Sequence, residues 1–125
     1  KATSFTASQL ALSSLKNIYW ILGGLPKRGD KLNISKFKNN IIKSYIIGKH
    51  INFFKSQIKD KLPFSVTKNL NNSLAKIIKD INNQKKDNQT ILLSPAAASF
   101  DQFINFEMRG EVFKKLCKKY AKKLV

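Results

Sequence analysis

Residues 17–24 read NIYWILGG, a nearly continuous apolar run that ends at two glycines. Residues 41–48 read IIKSYIIG and repeat the pattern, again with a glycine at the end. Strands that are buried on both faces have such runs, because neither of their faces alternates with water. We therefore predict buried strands at 17–22 and 41–47.

The rest of the chain alternates between helical spacing and short apolar runs. Predicted helices include one near the start with Leu10, Leu12 and Leu15, and others at about 34–38, 52–59, 70–81 and 101–123; further strands are predicted at 64–67 and 90–93. Strands that alternate with helices indicate βαβ units. The predicted fold class is α/β, a Rossmann-like three-layer sandwich with a mostly parallel sheet flanked by helices, in a single domain spanning 1–125.

Two predicted loops follow strands directly, at 23–31 and 94–101. Ligands of open parallel sheets bind outside the carboxyl ends of the strands. Lys27 in the first loop is a candidate cation for an anionic ligand, although a solvated lysine is the plainer interpretation. Ser99 in the second loop stands three residues before Gln102, which is capping-box spacing, so it either caps a helix or binds an anion at the helix start.

The net charge of +17 comes almost entirely from lysine, since Arg28 and Arg109 are the only arginines. The chain is also rich in Asn and Ile, which favours compositional drift and a solvated lysine surface. A lysine-rich nucleic-acid-binding module is the competing hypothesis. No apolar run reaches the roughly 18 residues that a membrane span needs, so a membrane is not an expected partner. A nucleic acid is not an expected partner either, because most of the lysine charge is interpreted as solvated surface. Cys117 is the only cysteine, which fits a reducing cytoplasm.

Three other features of the sequence do not indicate a functional site. Residues 24–31 nearly form a phosphate-binding loop, but Asp30 occupies the position of the required lysine. Glu107 and Glu111 are spaced as metal ligands could be, yet the basic residues around them favour a charged helix face. His50 is interpreted as a surface residue at a helix start. We therefore expect no catalytic residue and no metal site in this chain.

Residues 92–110 read LLSPAAASFDQFINFEMRG. This segment resembles the C-terminal signature of the Mur ligases that add D-glutamate, roughly LLSPACASxDQFxNFxxRG. Ala97 stands where many members have cysteine, and the neighbouring small residues are retained.

Two further segments carry the same resemblance. Residues 20–24, WILGG, followed by Lys27, resemble the strand and lysine loop of the family. Residues 1–3, KAT, resemble the hinge at which the C-terminal domain begins, with Ser4 in place of the family's asparagine. Residues 32–88 match in pattern only.

The resemblance implies that the chain is the amino-acid-binding domain of a three-domain, monomeric, cytoplasmic enzyme. That enzyme joins UDP-N-acetylmuramoyl-L-alanine to D-glutamate through an acyl phosphate, and its other two domains hold the UDP-sugar, ATP and Mg²⁺. By the same resemblance, D-glutamate contacts Thr3, Lys27, Ser99 and the backbone of Phe106, and Lys1 lies on the nucleotide side of the hinge. The isolated domain is then expected to be inactive. Folate polyglutamate ligases and a stand-alone ligand-binding domain remain as alternatives.

Overall fold

The computed structural model describes residues 5–26, 32–84 and 89–93. These ranges contain three helices, α1 Phe5–Ser14, α2 Ile51–Ile58 and α3 Leu70–Gln84. They also contain four strands, β1 Ile18–Gly23, β2 Ile41–Ile47, β3 Phe64–Lys68 and β4 Thr90–Leu93. The helix predicted at 101–123 lies outside the described residues.

All described strands are parallel, and they lie in the order β3-β2-β1-β4. The chain therefore moves outward from β1 to β2 and β3, then crosses back to place β4 on the other side of β1. When crossovers are right-handed, connecting helices pack on one face while the chain moves one way across the sheet. They pack on the other face when the chain moves the opposite way. The helices obey this rule, since α2 and α3 pack on opposite faces of the sheet. The predicted α/β sandwich with a parallel sheet is confirmed.

Every residue of β1 is buried. Ile18, Trp20 and Leu22 face the core shared with α1 and α2, whereas Tyr19 and Ile21 face the core shared with α3. This two-sided burial is the reason that the strand has no polar alternation. Full burial of one such side chain stabilises the fold by about 1.5–3 kcal/mol.

The helix predicted around 34–38 is instead a series of tight turns that ends in one turn of 3₁₀ helix, Lys38–Asn40. The Phe37 amide donates to the Ile34 carbonyl at 2.8 Å, and the Asn40 amide donates to the Phe37 carbonyl at 2.9 Å. Leu32, Ile34 and Phe37 are all buried. Their uneven spacing fits successive three-residue turns better than one face of an α-helix.

Helix α3 extends to Gln84, three residues beyond the end predicted at 81. Its inner face is the predicted one, with Leu70, Leu74, Ile77 and Ile78 buried. The Asn69 side chain accepts a hydrogen bond at 2.8 Å from the Asn72 amide, which caps the start of the helix.

Candidate functional site at the carboxyl ends of β1 and β4

Strands β1 and β4 are direct neighbours in the sheet, with Ile21 opposite Leu93. Their carboxyl ends therefore reach the same edge, about 4.8 Å apart across the sheet. The chain reverses its direction across the sheet between these two strands, which makes their junction the topological switch point. Open α/β sheets bind ligands in the crevice outside such a point.

The exit from β1 is shaped by two glycines. Gly23 and Gly24 have φ values of 154° and 110°, which side chains rarely adopt. A Cβ placed on Gly23 would lie 2.2 Å from the carbonyl oxygen of Ile47. The missing side chain thus lets the end of β1 approach the end of β2, and the chain leaves the sheet toward Leu25, which is exposed.

Helix α1 ends close to the amino edge of the sheet. Asn40, directly before β2, donates to the Leu12 carbonyl at 2.9 Å and accepts from the Lys16 ammonium at 2.8 Å. The end of α1 is therefore fixed at the amino edge of the sheet. The buried Ser8 and Leu12 keep the helix against the protein.

All the predicted ligand contacts lie outside the described residues: Lys1, Thr3, Lys27, Ser99 and Phe106. Their sequence neighbours are described. Lys27 directly follows Pro26, Ser99 comes six residues after the end of β4, and Thr3 comes two residues before α1. The described ends of β1 and β4, which the segments carrying Lys27 and Ser99 follow in the sequence, lie at the same edge of the sheet.

A polar network lies on the α3 side of the sheet. The Asp80 carboxylate accepts a hydrogen bond from the Tyr45 hydroxyl at 2.7 Å, and its oxygens lie 3.2 Å from the Lys43 ammonium and 3.6 Å from that of Lys76. The Tyr19 hydroxyl donates to the Gln89 side-chain oxygen. The network thus links α3 to β2, and it links β1 to the residue before β4.

Burial alone would raise the pKa of Asp80, but the hydrogen bonds from Tyr45 and Lys43, with the charges of Lys43 and Lys76, lower it below its ordinary value. Burial and the Asp80 carboxylate raise the pKa of the Tyr45 hydroxyl. Both groups are therefore held in the ionisation states that their hydrogen bond requires, a neutral phenol and a carboxylate. Sequence reasoning missed this pair, because 35 residues separate its members.

Within 5–26, 32–84 and 89–93, no three His, Cys, Asp or Glu side chains are placed to hold a metal ion. His50 precedes α2 as predicted, and its side chain makes no capping hydrogen bond. Among the described helices, none is long and apolar enough to cross a membrane.

The geometry defines a parallel α/β domain with a topological switch point between β1 and β4. No family model matches the chain. Curated relatives do, and each is named UDP-N-acetylmuramoylalanine–D-glutamate ligase. The protein from Rhizobium meliloti strain 1021 is 39% identical over 113 residues, which cover 90% of this chain and 24% of that protein. The protein from Brucella abortus strain 2308 is 41% identical over 115 residues, or 91% of this chain and 25% of that protein.

A third relative, from Chelativorans sp. strain BNC1, is 40% identical over 114 residues. The chain spans about a quarter of the length of the curated relatives that it matches. It is therefore a domain-sized homologue of the D-glutamate-adding ligases of the Mur ligase family.

Proposed function

We propose that this chain is the D-glutamate-binding domain of an ATP-dependent ligase that joins UDP-N-acetylmuramoyl-L-alanine to D-glutamate in peptidoglycan synthesis. One structural observation carries the proposal. The loop that leads to Lys27 and the segment that leads to Ser99 leave adjacent parallel strands at the same edge, with Ile21 paired to Leu93. The names of the curated relatives supply the amino acid and the reaction class.

The reach of the chain is compatible with one shared ligand. Lys27 is four residues from the end of β1 and Ser99 is six residues from the end of β4. Extended backbone spans about 3.3 Å per residue, so these residues can lie at most about 13 Å and 20 Å from the strand ends. Both therefore can reach a ligand a few ångströms above the switch point.

The chemistry of the candidate residues suits a dicarboxylate. The Lys27 ammonium would form a charge-assisted hydrogen bond with one carboxylate of D-glutamate. Ser99, together with free backbone amides at a helix start, would hold the other carboxylate. Thr3 and the backbone of Phe106 would complete the contacts. The two carboxylates held in this way would aim the amine of D-glutamate away from the sheet.

In the proposed reaction, the amine nitrogen attacks the carbonyl carbon of an acyl phosphate formed on UDP-N-acetylmuramoyl-L-alanine. The amide bond forms, phosphate leaves with the electrons of the broken C–O bond, and the nitrogen loses a proton. This domain contributes the position of the amine, which removes part of the entropic cost of bringing two reactants together. A hinge near Lys1–Thr3 would swing the bound amino acid toward the acyl phosphate.

We propose that ATP and Mg²⁺ are held mainly by parts of the enzyme beyond this chain, as the resemblance to the Mur ligases implies. The isolated domain is accordingly proposed to be inactive. A monomeric enzyme in the cytoplasm, where UDP-linked substrates and ATP are both present, completes the proposal.

The test is phosphate release by the full-length parent protein with UDP-N-acetylmuramoyl-L-alanine, ATP and Mg²⁺. Three parallel reactions contain D-glutamate, L-glutamate or no amino acid. The proposal predicts turnover with D-glutamate alone. A folded parent that releases no phosphate with D-glutamate, or releases it equally with L-glutamate, would contradict the proposal.

A further inference from the structure

One face of the domain is formed by α1 with the residues that follow it to Lys16, by residues 32–40, and by α2 with its flanks at 48–63. We call it the basic face. Two hydrogen bonds join its parts, from the Asn40 side chain to the Leu12 carbonyl at 2.9 Å and from the Leu32 amide to the Gln57 side chain at 3.0 Å. Its inner side chains share one core against the sheet. The basic face is therefore one continuous layer.

The outward side of this layer is strongly positive. Seven exposed lysines project from it: Lys16, Lys36, Lys38, Lys49, Lys55, Lys59 and Lys61. Asp60 is the only carboxylate that these segments contribute. The basic face thus carries an excess of six positive charges.

The opposite face differs in its charge balance. There the Asp80 carboxylate pairs with both Lys43 and Lys76, so part of the lysine charge is neutralised locally. The exposed lysines of β3 and of α3, the helix that packs on this face, are Lys68 and Lys79. The charge of the described residues is therefore uneven between the two faces. Compositional drift alone would distribute lysine evenly over both.

The chemistry of the basic face selects among anionic partners. The described residues contain no arginine, which is the usual bidentate reader of bases and phosphates. Of the aromatic side chains whose burial the structure describes, none is exposed. These side chains therefore offer no stacking platform for single-stranded nucleic acid. Leu10 on α1, in contrast, is 76% exposed. Lysines and an exposed apolar side chain on the same layer suit a bilayer surface, where the cations meet lipid headgroups and the apolar group enters the interface.

We propose that the basic face binds peripherally to the surface of a bilayer that contains anionic phospholipid. Lysine charge supplies most of the attraction, and Leu10 adds a small apolar contact. This proposal replaces the expectation from sequence that no membrane takes part. It is independent of the proposed ligase activity, because it uses none of the residues that are proposed to contact D-glutamate.

The test is co-sedimentation of the full-length parent protein with phosphatidylcholine vesicles that contain or lack phosphatidylglycerol. The variant Lys55→Glu/Lys59→Glu removes charge from the basic face. The matched control, Lys68→Glu/Lys79→Glu, makes the same change in net charge elsewhere. Each lysine near an anionic surface contributes roughly a fivefold gain in partitioning. The first variant should therefore lose at least about 20-fold, and the control should lose far less.

Two further experiments separate the contribution of the apolar contact from that of charge, and separate lipid from nucleic acid as the partner. Leu10→Ser should weaken vesicle binding by a few-fold even at high salt, because the apolar contact is not screened. Short double-stranded DNA is added as a competitor. The proposal is overturned by equal binding to both kinds of vesicle, by equal losses in the two double variants, or by no binding at all. It is also overturned in favour of nucleic acid if DNA displaces the vesicles and Leu10→Ser has no effect.

Discussion

A Cβ on Gly23 would lie 2.2 Å from the carbonyl oxygen of Ile47, so the ends of β1 and β2 approach each other only because position 23 has no side chain. The positive φ of Gly23, 154°, adds a second reason for glycine. The loop that carries Lys27 starts at this contact. Its starting direction therefore depends on Gly23.

Gly23→Ala is expected to destabilise the domain by about 2–4 kcal/mol, because it combines a steric overlap with a strained backbone conformation. In the full-length parent it should also raise the KM for D-glutamate. Gly48→Ala, at a second glycine with positive φ, 90°, gives the cost of the backbone conformation. Urea unfolding measures both variants, and equal losses would contradict a special role for the Gly23–Ile47 contact.

Ser44 and Ser73 are both fully buried, but their hydroxyls differ in hydrogen bonding. The Ser44 hydroxyl has no partner in the described part of the chain, whereas that of Ser73 pairs with Thr67 at 2.6 Å and donates to the Asn69 carbonyl at 2.9 Å. Ser44→Ala should therefore leave the free energy of unfolding unchanged or raise it by about 1 kcal/mol. Ser73→Ala should lower it by about 1–2 kcal/mol. Urea unfolding decides, and a larger loss at Ser44 would refute this account.

The strands were the most predictable part of the fold. Strand β2 matches its predicted bounds because an apolar run that is buried on both faces has sharp ends, here Asn40 before it and Gly48 after it. The segment around Phe37 was less predictable, since its three buried residues follow no single period. Local spacing also carries no information on strand order. The placement of β4 beside β1, which creates the switch point, came from the structure alone.

Asp80→Asn is expected to lower the free energy of unfolding at neutral pH by about 1–3 kcal/mol, because Lys43 and Tyr45 lose a charged acceptor. The folded state lowers the pKa of Asp80 from its ordinary 3.8. The carboxylate therefore stabilises the fold above that pH, and the contribution disappears as pH falls through the lowered pKa.

Urea unfolding at a series of pH values measures the difference between the native chain and Asp80→Asn. The difference should be constant above about pH 5 and shrink below pH 3.8. Asp60→Asn is the control, since Asp60 is exposed and should change stability by less than about 0.5 kcal/mol. A difference in the free energy of unfolding that grows as the pH falls would contradict the predicted stabilisation by the Asp80 carboxylate.

The candidate site was predictable only in part. The glycines after β1 and the small residues after β4 mark loops at strand ends, and this directed attention to Lys27 and Ser99. Neither position carries a local signal that separates a ligand contact from a solvated lysine or a helix cap. The resemblance to a ligase signature supplied that distinction, and the adjacency of β1 and β4 supports it.

The proposed contact between Lys27 and a carboxylate of D-glutamate is tested by the KM for D-glutamate of the full-length parent with Lys27→Ala. Loss of a charge-assisted hydrogen bond of about 1.5–3 kcal/mol predicts a 10- to 100-fold fall in kcat/KM, to which a higher KM contributes. The control is Lys79→Ala, an exposed lysine near the end of α3. A KM for D-glutamate that is unchanged by Lys27→Ala, or changed equally by Lys79→Ala, would contradict the account.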